Sequence, residues 1–230
     1  MAHHVCLEEM EGRWIAHVPA LAGCFFTDET RDAALAGLPA AIDDYFAWRR
    51  GHGDTAPLPP GPTAIEVDEI HREWIAPPDY EVNAFFAFDA PPLSSDEIAA
   101  ILRLLEWTRA DLLAAVAGLT EADLSREFSG EKWPLNGILQ HVGSAERWYL
   151  EGIGAAFPRE ALPEEPFARL EKSRAHLNAE LPKLAGVTRI VAKQGELWSP
   201  RKAIRRAIWH ERDHTAHILK VRRRMGSAGG

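Results

Sequence analysis

A change of pattern at Pro91-Pro92 limits what this chain can fold into more than any other feature. Before it, short runs mix apolar and polar residues between Gly and Pro. After it, apolar residues recur every three or four positions along four long stretches. The first pattern belongs to short strands and the second to amphipathic helices. Two bodies are therefore expected: residues 1–90 as a small α/β domain, and residues 91–225 as an up-and-down four-helix bundle, with 226–230 (GSAGG) as a flexible tail. The fold class is α+β.

In the first body, Glu11-Gly12 separates two strand-like runs, and RWIAHVP alternates its larger side chains. Thr30 is placed to cap a helix over 31–49 that carries Ala33, Ala34, Leu38, Ile42, Tyr45 and Phe46 at helical spacing, and Pro39 is expected to kink or restart it. Residues 51–62 (GHGDTAPLPPGP) read as a loop, TAIEVDEIHREWI as a strand, and 81–88 as one more strand. In the second body, the first helix opens at a Ser cap with acids in its first turn. It carries Ile98, Ile101, Leu102, Leu105, Leu112 and Val116 on one face and ends at Gly118. A short TEADLSREF follows. PLNGILQHVGSAERWYLEGI forms the second long helix, with Leu135, Ile138, Leu139, Val142, Tyr149 and Ile153 inward; a third covers about 163–184. The fourth starts at Ser199-Pro200, a cap followed by proline at the first helical position, and runs to about Arg224. The second and fourth helices share a Glu-x-Trp entrance. Setting Trp133 on Trp198 without gaps lays Ala145-Glu146-Arg147 on His210-Glu211-Arg212, an echo expected of a pseudo-symmetric bundle.

Charge separates the two bodies as well. Residues 1–90 hold five Arg, no Lys and sixteen acids, a net of −11, whereas 91–230 hold 21 basic and 18 acidic residues, a net of +3. An acidic first body argues against nucleic acid as a partner, because a phosphate backbone needs a basic surface. The nine Lys or Arg between Arg201 and Arg224 read as a solvated helix face with cations favoured at the C-terminus. No apolar run reaches a membrane span, and Met-Ala-His-His has no apolar signal core. Cys6 and Cys24 belong to no CxxC pair, so a disulfide framework and a zinc ribbon are both excluded and a reducing cytoplasm is the expected location.

The chemistry concentrates in AIWHERDHTAHIL, residues 207–219. His210 and His214, four apart, share one helix face, where two imidazoles can reach one ion at ~2.0–2.1 Å. Ala203, Ala207 and Val221 share that face, so it turns inward. His141, beside Val142 and Ala145 on the second long helix, supplies a third ligand if the two helices are neighbours. Three His ligands leave a coordination position for water, which marks a catalytic site. Glu211 makes HERDH fit H-E-x-x-H, but a bundle offers no sheet edge to hold a peptide and no further ligand follows in the zincin manner. Glu146 and Glu211 are the candidate acid/base groups or carboxylate partners of the ligands, with pairing to Arg147, Arg212 or another surface cation as the alternative. His217, Trp148, Tyr149 and Trp209 are candidate pocket residues, the aromatics otherwise being core. His176 reads as an exposed helix residue, and His3, His4, His17, His52 and His71 as incidental.

From about 95 to 225, LQHVGSAERWYL behind a leading Trp and AIWHERDHTAHIL with two His four apart resemble the DinB-like four-helix-bundle family. That resemblance implies a divalent metal held by His141, His210 and His214. The family often has Gln where this chain has His217. WIAHVPALAGC, the Thr after it and the Ala-rich helix that follows are similar to the HicB-like antitoxin module. No helix-turn-helix precedes the bundle, so an interaction or lid domain able to dimerise is expected.

The leading expectation is a metal-dependent enzyme acting on a small molecule. As the DinB-like resemblance implies, it would be a low-molecular-weight-thiol S-transferase or a hydrolase. The metal would be Zn or Ni first, Fe or Mn next. A homodimer is expected, with no nucleic acid and no membrane partner. The rival is a non-enzymatic binding or regulatory module with a structural metal or none.

Overall fold

The computed structural model describes residues 2–55 and 64–227, and the chain is mixed α and β. It divides into two compact units, Met1–Pro91 with Ala192–Trp198, and Pro92–Val191 with Ser199–Gly230. A return of the chain into the first unit at 192–198 is not anticipated by a single boundary near residue 90.

The first unit is a four-stranded sheet with one helix. β1 (Ala2–Met10) and β2 (Arg13–His17) pair antiparallel across Glu11-Gly12, both at positive φ. β3 (Phe25–Asp28) extends the sheet beyond β2, and β4 (Ala64–His71) lies parallel to β1 at the other edge. α1 (Arg31–Gly51) is capped by Thr30, whose hydroxyl accepts the Ala33 N–H, and runs through Pro39 without a break. Its face of Ala34, Leu38, Ile42 and Tyr45 packs on Val5, Leu7, Trp14, Ala16 and Val18, the same-facing residues of β1 and β2 and the residue after β2. The expected loop at 51–62 is described only to residue 55; the rest lies outside the described residues.

The expected strand over 81–88 is a correction. β5 (Ile75–Ala76) and β6 (Tyr80–Glu81) form a two-residue ladder, and the chain beyond is not a strand. Its backbone donors are taken by carboxylates. Asn83 N–H donates to Glu196, Ala84 N–H to Glu8 at 2.7 Å, Phe86 N–H to Asp89, and Ala87 N–H to Glu69 at 2.8 Å. Four donors satisfied in this way need no neighbouring strand. His17 is not incidental: it is buried on the sheet with Nε2 3.2 Å from Glu8 Oε2. A second hairpin, β7 (Val191–Lys193) and β8 (Glu196–Trp198), turns at Gln194 and Gly195, both at positive φ as a tight hairpin turn requires.

The second unit is helical. α2 (Ser95–Val116) begins with a reciprocal capping box between Ser94 and Glu97. A short α3 (Glu121–Ser125) leads to α4 (Leu135–Gly152), then α5 (Pro166–Glu180) and α6 (Pro200–Ser227). α5 is shorter than the expected 163–184 because residues 181–184 tighten into a 3₁₀ turn. α6 runs past Arg224 into the expected tail, of which 228–230 lie outside the described residues. α2 packs on α6, α6 on α4 and α4 on α5. Their shared core includes Leu112, Leu135, Ile138, Leu139, Val142, Leu170, Ile218 and Val221. No helix among the described residues is long and apolar enough to cross a membrane. Cys6 and Cys24 are buried thiols.

Candidate metal centre

The three histidines converge. Ser199 caps α6 by accepting the Lys202 N–H at 3.0 Å, and the helix then sets His210 and His214 one turn apart on one face. α4 lies antiparallel beside it, so His141 meets both of them and Tyr149, two turns on, meets His210. His210 Nε2 is 3.0 Å from His141 Nε2 and 3.1 Å from His214 Nε2. Among the described residues these three form the one group of His, Cys or carboxylate side chains placed to hold an ion. Nitrogens at ~2.0–2.1 Å around a tetrahedral ion stand about 3.3–3.4 Å apart. The two separations to His210 are within a few tenths of an ångström of that, and all three donors lie within 4.8 Å of one another, a set that one divalent cation can draw together.

Aromatic rings hold the imidazoles in place. Trp133 stacks on His141, with centroids 4.8 Å apart and planes at 30°. Tyr149 meets His210 edge-on at 5.8 Å, and Trp209 lies 6.0 Å from the same ring. Trp148 meets Tyr149 at 5.4 Å. His210 is buried, while His141 and His214 are half-buried and give the cluster one side toward solvent. His217 stands next along the face, but its Nε2 is 2.7 Å from Glu131 Oε2 rather than with the other three. The His217 hydrogen bond holds the Glu131 carboxyl below the usual carboxylate range against the opposing effect of burial, and Arg224 contacts the other Glu131 oxygen.

Glu146 and Glu211 lie in a closed ring of four charges. Glu146 contacts Arg174 Nε at 2.6 Å and Arg109 Nη2 at 3.2 Å; Glu211 contacts Arg109 Nε at 2.6 Å and Arg174 Nη2 at 2.5 Å. The Thr108 hydroxyl also donates to Glu211 at 2.5 Å. Burial pushes the Glu211 carboxyl up, but the Arg174 and Arg109 guanidiniums and the Thr108 bond outweigh it and hold the group below its ordinary range. Burial likewise opposes the charge on Arg174, and the two carboxylates overcome it and raise its pKa.

The DinB superfamily model matches residues 104–218, half of the chain, a span that contains all three histidines and all four members of the ring. The chain belongs to the DinB superfamily. No curated protein matches it.

In this DinB chain the expected cation partners of the two carboxylates, Arg147 and Arg212, are not the ring's arginines. Arg147 instead pairs with Glu151 at 2.6 Å. Arg109 and Arg174 were missed as site residues, although a signal existed. Arg174 falls between Leu170 and Leu177 on the apolar face of α5, and Arg109 follows buried Thr108 between Leu105 and Leu112. An arginine on such a face needs a buried acid. Trp133 and Glu131 were legible as a helix entrance but not as neighbours of the histidines. His176 is half-buried, with Nε2 2.7 Å from the Ala155 carbonyl oxygen, rather than an exposed residue.

Proposed function

We propose that this DinB superfamily protein is a divalent-metal-dependent enzyme acting on a small molecule, with His141, His210 and His214 as the protein ligands. The observation that carries the reading is the convergence of three Nε2 atoms, with separations of 3.0 and 3.1 Å to His210, on one half-open side of the helices. Three neutral imidazoles suit Zn or Ni first, and Fe or Mn next. An ion held by three ligands supplies an open position that lowers the pKa of a bound water or thiol. In this reading Trp133 fixes the plane of His141, and Tyr149 and Trp209 wall His210 from water. S-transfer to or from a low-molecular-weight thiol is the favoured reaction, and hydrolysis the next. Glu146 and Glu211 support the site, because their oxygens are engaged by Arg109 and Arg174. The helices are read as a four-helix bundle and the first unit as HicB-like, with a homodimer in a reducing cytoplasm and no nucleic acid partner.

A second reading draws on the first unit, where Val67 and Ile70 on edge strand β4, and Trp74 and Ile75 after it, are exposed apolar residues. There the chain is a binding or regulatory module and any metal is structural.

The deciding experiment is metal analysis of protein purified without a His-tag column, followed by a thiol-transfer screen. One ion per chain, lost in His141→Ala and His210→Ala, is expected. Metal-free wild-type protein that takes up neither Zn²⁺ nor Ni²⁺ would end the enzymatic reading. Bound metal without an exchangeable water would favour the second.

A further inference from the structure

The geometry points to the buried ring of Arg109, Glu146, Arg174 and Glu211 as the part of the fold that positions the metal ligands. This inference rests on the metal reading above. Each of the four long helices contributes one member: α2 Arg109, α4 Glu146, α5 Arg174 and α6 Glu211. The signs alternate and all four carboxylate oxygens are used. The third nitrogen of each guanidinium, Nη1, cross-ties the backbones reciprocally. Arg109 Nη1 donates to the Leu170 carbonyl on α5, and Arg174 Nη1 donates to the Leu105 carbonyl on α2.

The arrangement is an internal two-fold. The same number of positions separates Arg109 from Arg174, Leu105 from Leu170 and Glu146 from Glu211, and it is the spacing that carries Trp133 onto Trp198. The histidines break this symmetry: the positions matching His141, His210 and His214 hold Arg206, Ala145 and Tyr149. Arg206 lies over the Tyr149 ring at 5.9 Å, where His141 lies 5.0 Å from His214 in the other half. The ring is thus the shared framework, and one side of it has been given over to imidazoles.

Apolar packing is non-directional and leaves helices freedom to rotate or slide. A planar guanidinium binding two carboxylates and a carbonyl leaves very little. Glu211 directly follows His210, and Glu146 lies between His141 and Tyr149. Fixing those carboxylates therefore fixes the rotation of α6 and α4 and brings the imidazoles to one point. Buried ion pairs are a poor source of stability compared with apolar side chains of the same size. A role in geometry accounts for their presence where a role in stability does not.

The test is the variant Arg109→Met, Glu146→Leu, Arg174→Met, Glu211→Leu. Melting temperature, Zn²⁺ affinity by chelator competition, and nuclear Overhauser contacts between the ring protons of His141 and His210 in the metal-free protein are compared with wild type. The expected result is an equal or higher melting temperature, Zn²⁺ binding at least tenfold weaker, and loss of the His141–His210 contacts. Wild-type affinity and contacts in the variant overturn the proposal, whatever happens to the melting temperature. If the variant does not fold, Arg174→Lys, which keeps the charge and removes the fork, takes its place. With helical content unchanged, a tenfold loss of affinity supports the proposal and none overturns it. A wild-type protein that shows the contacts but binds no Zn²⁺ defeats the metal reading alone, and the contacts in the variant then decide the role of the ring.

Discussion

Nη2 of Arg174 lies 2.5 Å from Oε2 of Glu211, and both side chains are less than a tenth exposed. The contact closes a neutral ring in which neither carboxylate depends on a single arginine, since Glu211 and Glu146 both also meet Arg109. Replacing Arg174 with Met leaves two buried carboxylates to one guanidinium. The expected loss is about 3–5 kcal/mol in urea unfolding. Adding Glu211→Leu restores part of it, so the double variant is more stable than the sum of the single changes implies. A loss below about 1 kcal/mol, the size of an exposed pair, would show that the ring is not closed to solvent.

Gly143 sets how closely α5 approaches α4. A Cβ at this position would lie 2.9 Å from Arg169 Cγ and 3.2 Å from the Arg169 carbonyl carbon and the Leu170 nitrogen. Backbone atoms cannot swing aside as the tip of a side chain can, and Leu170 is also held through its carbonyl by Arg109. In an open helix Gly→Ala stabilises by about 1 kcal/mol. Here the sign is expected to reverse, to a loss of about 1–3 kcal/mol in thermal or urea unfolding, as α5 is pushed outward. A Gly143→Ala protein as stable as wild type would mean that the two helices are not in contact at this point.

The helices were legible because their signals are local. Ser94 and Glu97 make a capping box, Thr30 caps α1, and Ser199-Pro200 opens α6. The histidines were legible because a spacing of four places two rings together on any helix. What the local pattern could not give was which acid meets which base, because the ring joins residues 28 to 102 positions apart. The echo that set Glu146 on Glu211 held the clue, since equivalent positions on equivalent helices now share the same two arginines. The segment after β6 was misread as a strand because its apolar residues are strand-like. Its hydrogen bonds go to Glu8, Glu69, Asp89 and Glu196, side chains that lie far along the chain apart from Asp89.

Glu97 carries a pH dependence whose sign can be stated. The hydrogen bond from Arg201 is the largest influence and, against some burial, lowers its pKa from 4.5 to about 2. Arg201 Nη1 is 2.6 Å from Oε1, and Nη2 is 3.1 Å from Oε2. A carboxyl depressed on folding contributes stability that is full above the unfolded value and is lost as pH falls from 4.5 toward 2. The side chain is 42% exposed, so solvent screening limits the contribution to about 1 kcal/mol or less. Arg201→Ala is expected to return Glu97 toward 4.5 in a carboxyl-carbon NMR titration and to flatten the acid fall in melting temperature over this window. A wild-type Glu97 that already titrates near its ordinary value would remove the basis for this.

Trp133 offers an optical report on the metal centre. Its indole stacks on His141 at 4.8 Å, so an ion on the Nε2 of that histidine lies one imidazole away from the fluorophore. Ni²⁺ quenches nearby indoles, and its addition is expected to give a saturable fall in emission at one ion per chain. The chain has eight Trp, and Trp209 lies 6.0 Å from His210, so Trp133→Phe should reduce the saturable part without abolishing it. Phenylalanine keeps a ring against His141, so the Ni²⁺ midpoint is expected to stay within a few-fold of wild type. Trp133→Ala removes the stack and frees the imidazole plane, and is expected to weaken binding about tenfold, the scale of a lost ligand-orienting contact. If Trp133→Phe leaves the amplitude of quenching unchanged, the ion is not bound beside His141, and the ligand set built from α4 and α6 is wrong.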